Sequence, residues 1–510
     1  MSPRGRVPDT VPMQLTLDPQ GPPLHQQIYE ALRAAIQRGA LRTGDRLPSS
    51  RVLARDLGVS RTTVLEAFAR LLSESYVTGN AGAGTRVAAP FASAIAGRHP
   101  TRDATPHVNG AARPVASTLA DVESPRLSPA AHALFNEGKW RRMPLEAVPF
   151  AAGIPALELF PITTWARLTA RRWRLSGKAL LMPCDARGYE PLREAIAKYA
   201  DTARGVRCTA EQVIIVNGAQ HAIDLCARLL VGPGDDVWLE SPGFPPARGM
   251  FAATGARLVD VPIDASGLDV AAGRAASPAA RLAFVTPFYQ SALGVTMSLE
   301  RRLALLEWAN EANAWIVEDD YSGDYRYGVT SATSIQGLDT NNRVLYIGTF
   351  TKTLSPALRL GYLILPPALV PVFARARLLL DRHSPVPDQA VLADFITGGH
   401  FARHIRRTRA KHQERQRMFL DLAAKELDGL LTFDEAPAGM RLIGWLPAGA
   451  NDQRIAEEAV RRGVVVEALS RTVGNDELPP GLIFGFVAYS TTQTRSAMRV
   501  LAGVIRAVLD

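Results

Sequence analysis

The chain has 510 residues, 47% of them hydrophobic and 21% charged, with a formal net charge of +9. That length exceeds one ordinary core and predicts two to four domains of a soluble globular protein. The basic excess permits a polyanionic partner, while no apolar run is long enough to span a bilayer and the polar start lacks a signal-peptide pattern, so a cytoplasmic location is expected.

Three zones follow in chain order. Residues 14–89 form a compact helical pattern ending in a glycine-rich hairpin. Residues 90–130, rich in Ala, Pro, Ser, Thr and Arg without periodicity, are expected to be a flexible linker. From 131 to 510, short apolar strands alternate with amphipathic helices, predicting an α/β domain.

In the first zone Leu24, Ile28, Leu32 and Ile36 recur every four residues and place an apolar stripe on one helix. A second helix is expected from Ser50 to Leu57, stopped by Gly58. Ser60 is suited to cap a third, from Arg61 to Ser73, with Val64, Phe68, Leu71 and Leu72 facing inward. Two short helices joined by Gly58-Val59-Ser60 make a helix-turn-helix, and the segment from Tyr76 to Val87 reads as two strands around a glycine-rich turn, a wing. The third helix then suits a DNA major groove, with Ser60, Arg61, Thr62 and Thr63 nearest bases and phosphates. Ser49, Ser50 and Arg51 open the preceding helix and could anchor the backbone; Arg86 and the small residues around Gly84 let the wing approach closely. Leu47-Pro48-Ser49-Ser50-Arg51 and Leu57-Gly58-Val59-Ser60-Arg61-Thr62-Thr63-Val64 resemble the GntR-type winged helix-turn-helix. Phe68 stands where that family often has tyrosine, and Ser75 where it often has glycine. Both lie off the expected DNA face.

Lys352 is the most informative residue of the large zone, being one of only six lysines among 58 basic residues. An arginine cannot form an imine, whereas a lysine with a lowered pKa can. Four segments support it. Val213-Ile214-Ile215-Val216 leads into Asn217-Gly218-Ala219-Gln220 and a helix, a turn whose backbone N–H groups suit a phosphate. Asp236 to Gly243 ends in a turn presenting Phe244, which could stack on a planar ring. The apolar strand from Ala314 runs into Glu318-Asp319-Asp320-Tyr321, placing carboxylates at the usual ligand end of a strand. Thr349, Thr351 and Arg359 flank the lysine and could complete a phosphate site.

In order and combination these segments resemble fold-type I pyridoxal-phosphate aminotransferases. Joined to the GntR-type module, the chain resembles a MocR/GabR-type regulator, with a large part at about 180–375 and a smaller C-terminal α/β part at about 376–510. The resemblance implies pyridoxal 5′-phosphate bound to Lys352, Asp319 at the pyridine nitrogen and Tyr321 near the ring hydroxyl. It further implies Phe244 stacking, Arg359 at the phosphate, and a head-to-tail homodimer. Two departures bear on activity. Ser291-Ala292-Leu293-Gly294 replaces Asn-Pro-Thr-Gly, leaving Tyr289 or Gln290 to substitute for the asparagine. The strand from Gly481 to Phe486 has no arginine, with the carboxylate-binding position falling near Ile483.

Two readings follow. One is a transcriptional regulator that binds a double-stranded DNA operator and senses an amine or amino-acid-like effector by aldimine exchange at Lys352. The other is an aminotransferase with an accessory DNA-binding domain. A pseudo-enzyme that only dimerises fits the preserved lysine loop poorly. The basic run from Arg403 to Arg409 suits a solvated helix face better than a second DNA patch. Cys184, Cys208 and Cys226, without close spacing, predict free thiols, and no metal site is expected.

Overall fold

The computed structural model describes residues 17–19, 21–80, 84–88, 127–138, 148–327, 333–472 and 478–509. Two compact units form, Met1–Asp121 and Val122–Asp510. Most of the expected linker and the wing's turn, residues 81–83, lie outside the described residues.

The first unit contains α1 (Leu24–Gln37), α2 (Ser50–Asp56) and α3 (Arg61–Ser73). The strands β1 (Val77–Asn80) and β2 (Gly84–Val87) pair antiparallel, Val77 opposite Val87. Serine hydroxyls start both short helices. Ser49 Oγ accepts from the Val52 amide at 3.3 Å and Ser60 Oγ from Thr63 at 3.1 Å, satisfying amides with no partner in the helix. Ile28, Leu32 and Ile36 pack against Leu53, Val64, Phe68 and Leu71. Leu72 departs from expectation: it is 50% exposed, because Val64, Phe68 and Leu71 already fill the inward face of α3. Ser75 turns the chain from α3 into the wing with φ of 63°.

The second unit is built on an eight-stranded sheet. Its strands are β3 (Val213–Val216), β4 (Asp236–Ser241), β5 (Arg257–Asp264), β6 (Gly267–Leu268), β7 (Leu282–Val285), β8 (Trp315–Asp320), β9 (Val344–Thr349) and β10 (Gly361–Ile364), in spatial order β3-β10-β9-β8-β7-β4-β5-β6. The strands from β9 through β8, β7 and β4 to β5 are parallel, and β10 runs antiparallel between β9 and β3. β3, β7 and β10 are buried along their whole length, as apolar strands covered on both faces must be. Trp238 stacks on Trp308 at 3.8 Å on one face, and Cys226, Phe251 and Phe373 pack on another. Parallel strands end on the same side, so the turns after β4, β7, β8 and β9 converge at one edge.

A smaller antiparallel sheet, ordered β11 (Thr432–Phe433), β12 (Arg441–Trp445), β14 (Gly481–Gly485) and β13 (Glu467–Ala468), packs with the helices His400–Glu426 and Thr491–Leu509. Phe150, far upstream, inserts into this core against Phe419 and Phe484 at 5.7 and 5.3 Å between ring centroids. The Gly485 amide donates to the Phe150 carbonyl at 2.8 Å, which carries the following residues to the edge of the large sheet. All three cysteines are free thiols. Among the described residues no helix is long and apolar enough to cross a membrane.

Candidate functional site

A cavity of about 300 Å³ opens where the strand ends converge. Ala219, Gln220, Phe244, Asp319, Tyr321, Thr349, Thr351, Lys352 and Arg359 all line it, so segments spread over 140 positions of sequence meet at one place. Gly218, with φ of 87°, sits just behind as the residue before the helix Ala219–Leu230. Arg359 lies 3.8 Å from where a Gly218 Cβ would be, and its Nη2 donates to the Asn217 carbonyl at 2.9 Å. A helix N-terminus and a guanidinium thus share one corner, an arrangement suited to a phosphate.

The three consecutive acids divide their work. Glu318 accepts from the amides of Ile335 and Gln336, both at 2.9 Å. Asp320 accepts from Arg204 and from Tyr346, both at 2.6 Å. Asp319 alone faces the cavity: it is 4% exposed and its Oδ1 has no hydrogen-bond partner. Burial, and then the nearby Asp320 and Glu240, push its carboxyl up to about 8. A buried acceptor without a donor is costly, and a protonated ring nitrogen would supply the missing donor.

Lys352 Nζ donates to the Gly153 carbonyl at 2.9 Å. Burial, and then the Arg441 guanidinium, bring its amine down to about 8. At pH 7 roughly a tenth of such a lysine is neutral, against well under a thousandth at the ordinary value. Tyr321 Oη accepts from Arg441 Nη2 at 2.6 Å, and burial raises its phenol above the usual range.

Neither proposed substitute for the lost asparagine serves. Gln290 Nε2 donates to Glu240 at 3.0 Å and to the Pro242 carbonyl at 2.7 Å, while its Oε1 accepts from the amides of Ala292 and Leu293. Tyr289 Oη donates to the Arg441 carbonyl at 2.8 Å. Ser291 itself lines the cavity, with its buried Oγ lacking a partner. The two orphaned oxygens of Asp319 and Ser291, the lysine and the phosphate corner together fit pyridoxal 5′-phosphate.

Four contributors escaped sequence reasoning: Gly153, Arg441 and Glu467, and Ser291 as a cavity-facing hydroxyl. The small-residue run Ala151-Ala152-Gly153 was the one signal for the first. Arg441 had none, because its place depends on how β12 pairs with β14. Ile483 lies in β14 and packs with Ala292 and Leu469, so the expected carboxylate-binding position is an apolar cluster.

On the first unit Arg51, Ser60, Arg61 and Thr62 are exposed at the starts of α2 and α3, with Ser50 and Thr63 half-buried beside them. Arg61 Nε donates to Ser50 Oγ at 3.3 Å. Arg86 is also exposed, but its Nη1 donates to the Gly44 carbonyl at 2.8 Å, and Gly84 lies against the Arg46 guanidinium. In the basic run of the second unit, Arg403, Arg406 and Arg407 are exposed, Arg407 bonding the Leu159 carbonyl as well, and the half-buried Arg409 bonds the Asp324 carbonyl.

Residues 24–87 match the model of bacterial regulatory proteins of the gntR family, and residues 146–470 that of aminotransferase class I and II. The chain is 38% identical to the probable rhizopine catabolism regulatory protein MocR of Rhizobium meliloti, over 95% of this chain and 94% of that one. It is 31% identical to the HTH-type transcriptional regulator TauR of Rhodobacter capsulatus, over 87% of this chain and 88% of that one. Among solved structures, α-aminoadipate aminotransferase LysN of Thermus thermophilus, complexed with N-(5'-phosphopyridoxyl)-L-leucine, superposes with a TM-score of 0.68 at 25% identity, covering 75% of this chain and 98% of that one. With a gntR-family unit and a class I and II aminotransferase domain on one chain, matched along nearly its whole length by MocR, this protein belongs to the MocR-type helix-turn-helix transcriptional regulators.

Proposed function

We propose that this regulator holds pyridoxal 5′-phosphate at Lys352 and senses a primary amine that competes with that lysine, the outcome being read as a change in operator binding. The observation that carries this reading is the split character of the cavity. Lys352 and the orphaned Asp319 are present, while the carboxylate-binding position of an aminotransferase is the apolar cluster around Ile483. Cofactor chemistry is kept, and the clamp that positions an amino acid for repeated turnover is missing from that position.

When bound, the cofactor supplies an aldehyde that condenses reversibly with primary amines and a ring that withdraws electrons. Lys352 provides the resident amine, kept partly neutral by burial and by Arg441. Asp319 accepts a hydrogen bond from the ring nitrogen and favours its protonated form. Phe244 would cover one ring face, and Tyr321 and Ser291 would meet the ring hydroxyl. The amides of Ala219 and Gln220 behind Gly218, with Thr349, Thr351 and Arg359, hold the phosphate. An amine that displaces Lys352 changes the balance between two states of the protein only through its unequal affinity for them.

The first unit binds double-stranded DNA with α3 in the major groove. Arg61 reads a base or phosphate, Arg51, Ser49, Ser50, Ser60, Thr62 and Thr63 hold the backbone, and Arg86 and Gly84 bring the wing close. The second unit forms a homodimer. Leu175, Leu181, Met182 and Leu379, each more than half exposed, leave apolar surface that a second copy would cover.

The deciding experiment measures operator binding by the cofactor-loaded full-length protein across a panel of primary amines. At least one amine should shift both the visible absorbance and the operator affinity, and Lys352→Ala should abolish both shifts. Sustained amino transfer without any change in operator affinity would instead establish the aminotransferase reading.

A further inference from the structure

We propose that Arg441 anchors an acidic group of the effector, making the effector an amine that carries a carboxylate or comparable anion; this rests on the sensor reading above. β12 and β14 pair with Ile443 opposite Ile483 and Arg441 opposite Gly485, and β13 sets Glu467 opposite Ile483. Cross-strand partners share a face, and residues two apart on a strand share it too. One face of the small sheet therefore presents Arg441, Ile443, Ile483 and Glu467.

The middle of that face is apolar. Ile483 packs with Ala292 and Leu469, Ile443 and Leu293 lie against the same cluster, and an anion there would find no donor. Glu467, directly opposite Ile483, adds repulsion. Arg441, one step along β12, is the basic side chain that this face turns into the cavity. Its guanidinium donates to Tyr321 Oη at 2.6 Å, and its Cζ lies 5.4 Å from the centre of that ring.

A guanidinium has five donors in a planar fork; this hydrogen bond is to a neutral phenol, and the Glu467 carboxylate nearby favours its charged form. In a half-buried place an anion is the partner that such a cation favours most. Arg441 also stands first among the charged neighbours that act on Lys352. Amine and acid of one small molecule can therefore occupy the lysine end and the arginine end of the same cavity.

The test uses the full-length protein loaded with pyridoxal 5′-phosphate and reads the visible absorbance. Glycine, β-alanine and 4-aminobutyrate are titrated beside methylamine, ethylamine and propylamine, which lack the acid. At least one acid should bind about tenfold or more tightly than its matched alkylamine, the scale of a charge-assisted contact. Arg441→Gln should collapse that ratio towards one, and Arg441→Lys should restore part of it. Because the ratio compares two amines on the same variant, a general disturbance of Tyr321 cancels. Glu467→Gln should raise the ratio. An unchanged ratio in Arg441→Gln, or a response to alkylamines alone, overturns the anchor and leaves the sensor reading standing. Silence towards every amine overturns the sensor reading, and the anchor with it.

Discussion

Lys352 Nζ and the Gly153 carbonyl, 199 positions apart in sequence, meet at 2.9 Å. Gly153 belongs to the segment that Phe150 pins into the core of the small sheet. Lys352 follows β9 of the large sheet. The hydrogen bond therefore ties the reactive amine to both sheets at once.

Gly153→Ala should disable cofactor capture. The residue has φ of 82°, and an added Cβ would lie 2.5 Å from Nζ, well inside contact distance. The side chain of Lys352 must then swing away, and the backbone is strained by about 1 kcal/mol as well. The visible band of the loaded protein should fall at least tenfold at a given cofactor concentration, while far-ultraviolet circular dichroism stays near that of the parent. A full band in the variant would show that the Gly153 contact does not fix the lysine.

Capture of pyridoxal 5′-phosphate by cofactor-free protein should depend on pH through Lys352. Only the neutral amine attacks an aldehyde, and burial with the Arg441 charge brings the amine down to about 8. The rate should rise with pH and level off near 8. Removing the guanidinium in Arg441→Gln takes away the largest charged cause, so the inflection should move upward. An inflection above 10 in the parent would mean that the cavity does not hold the amine down.

The sequence reasoning reached the residues whose neighbours in sequence carry their context. Lys352 follows β9, Asp319 lies at the end of β8, Gly218 opens a helix and Arg359 stands just before β10, and a glycine, a run of acids or an apolar strand announces each of them locally. It missed Arg441 and Glu467 because their place depends on the pairing of β12, β13 and β14, a long-range register that no local pattern encodes. Gln290 misled for a related reason. Its amide could bond a ring oxygen, but Glu240, Pro242 and the turn at Ala292 already use it. Leu72 failed more simply: an apolar residue beside an inward stripe is not on it.

Ser75 offers a test of backbone strain in the DNA-binding unit. Its φ of 63° is the left-handed region that glycine adopts freely and serine does not. The glycine common at this point in the GntR-type module is thus explained by the turn between α3 and β1. Ser75→Gly should stabilise the unit by about 0.5–1 kcal/mol, less any loss from the greater freedom of the unfolded chain. Amide hydrogen exchange of α3 in the full-length protein should slow by roughly two- to fivefold. Faster exchange would show that the serine is not strained.

Arg61 and Arg86 should differ in how they affect operator binding. Arg61 is exposed at the start of α3 and donates a hydrogen bond to Ser50, so Arg61→Ala should cost about 1–3 kcal/mol of affinity if it reads a base edge. The loss would concentrate at one base position of the operator. Arg86 already bonds the Gly44 carbonyl, so Arg86→Ala should loosen the wing and weaken binding to all sequences alike. Binding titrations on operators substituted one base at a time distinguish the two patterns. Unchanged affinity in Arg61→Ala would remove that residue from the interface.

Asp319→Asn should separate the cost of the buried acid from its use. In the cofactor-free protein the carboxyl is pushed up to about 8, whereas an aspartate in the unfolded chain ionises near 4. Between those values the folded state binds more protons at this site than the unfolded state does. Stability contributed by Asp319 is therefore fully present below about pH 4 and declines as pH rises towards 8. Asparagine does not titrate, so the cofactor-free variant should lose less stability than the parent between pH 5 and 8. The cofactor-loaded forms should reverse the ranking. A protonated ring nitrogen pairs with the carboxylate, and an amide in its place should weaken retention of pyridoxal 5′-phosphate by at least tenfold. Thermal melts of both forms across that pH range, with the visible band followed during dialysis, measure the two effects separately. A variant that retains cofactor as well as the parent would take Asp319 out of the ring-nitrogen role. Parallel pH profiles for the cofactor-free forms would show instead that the carboxyl ionises in the empty cavity as it does in water.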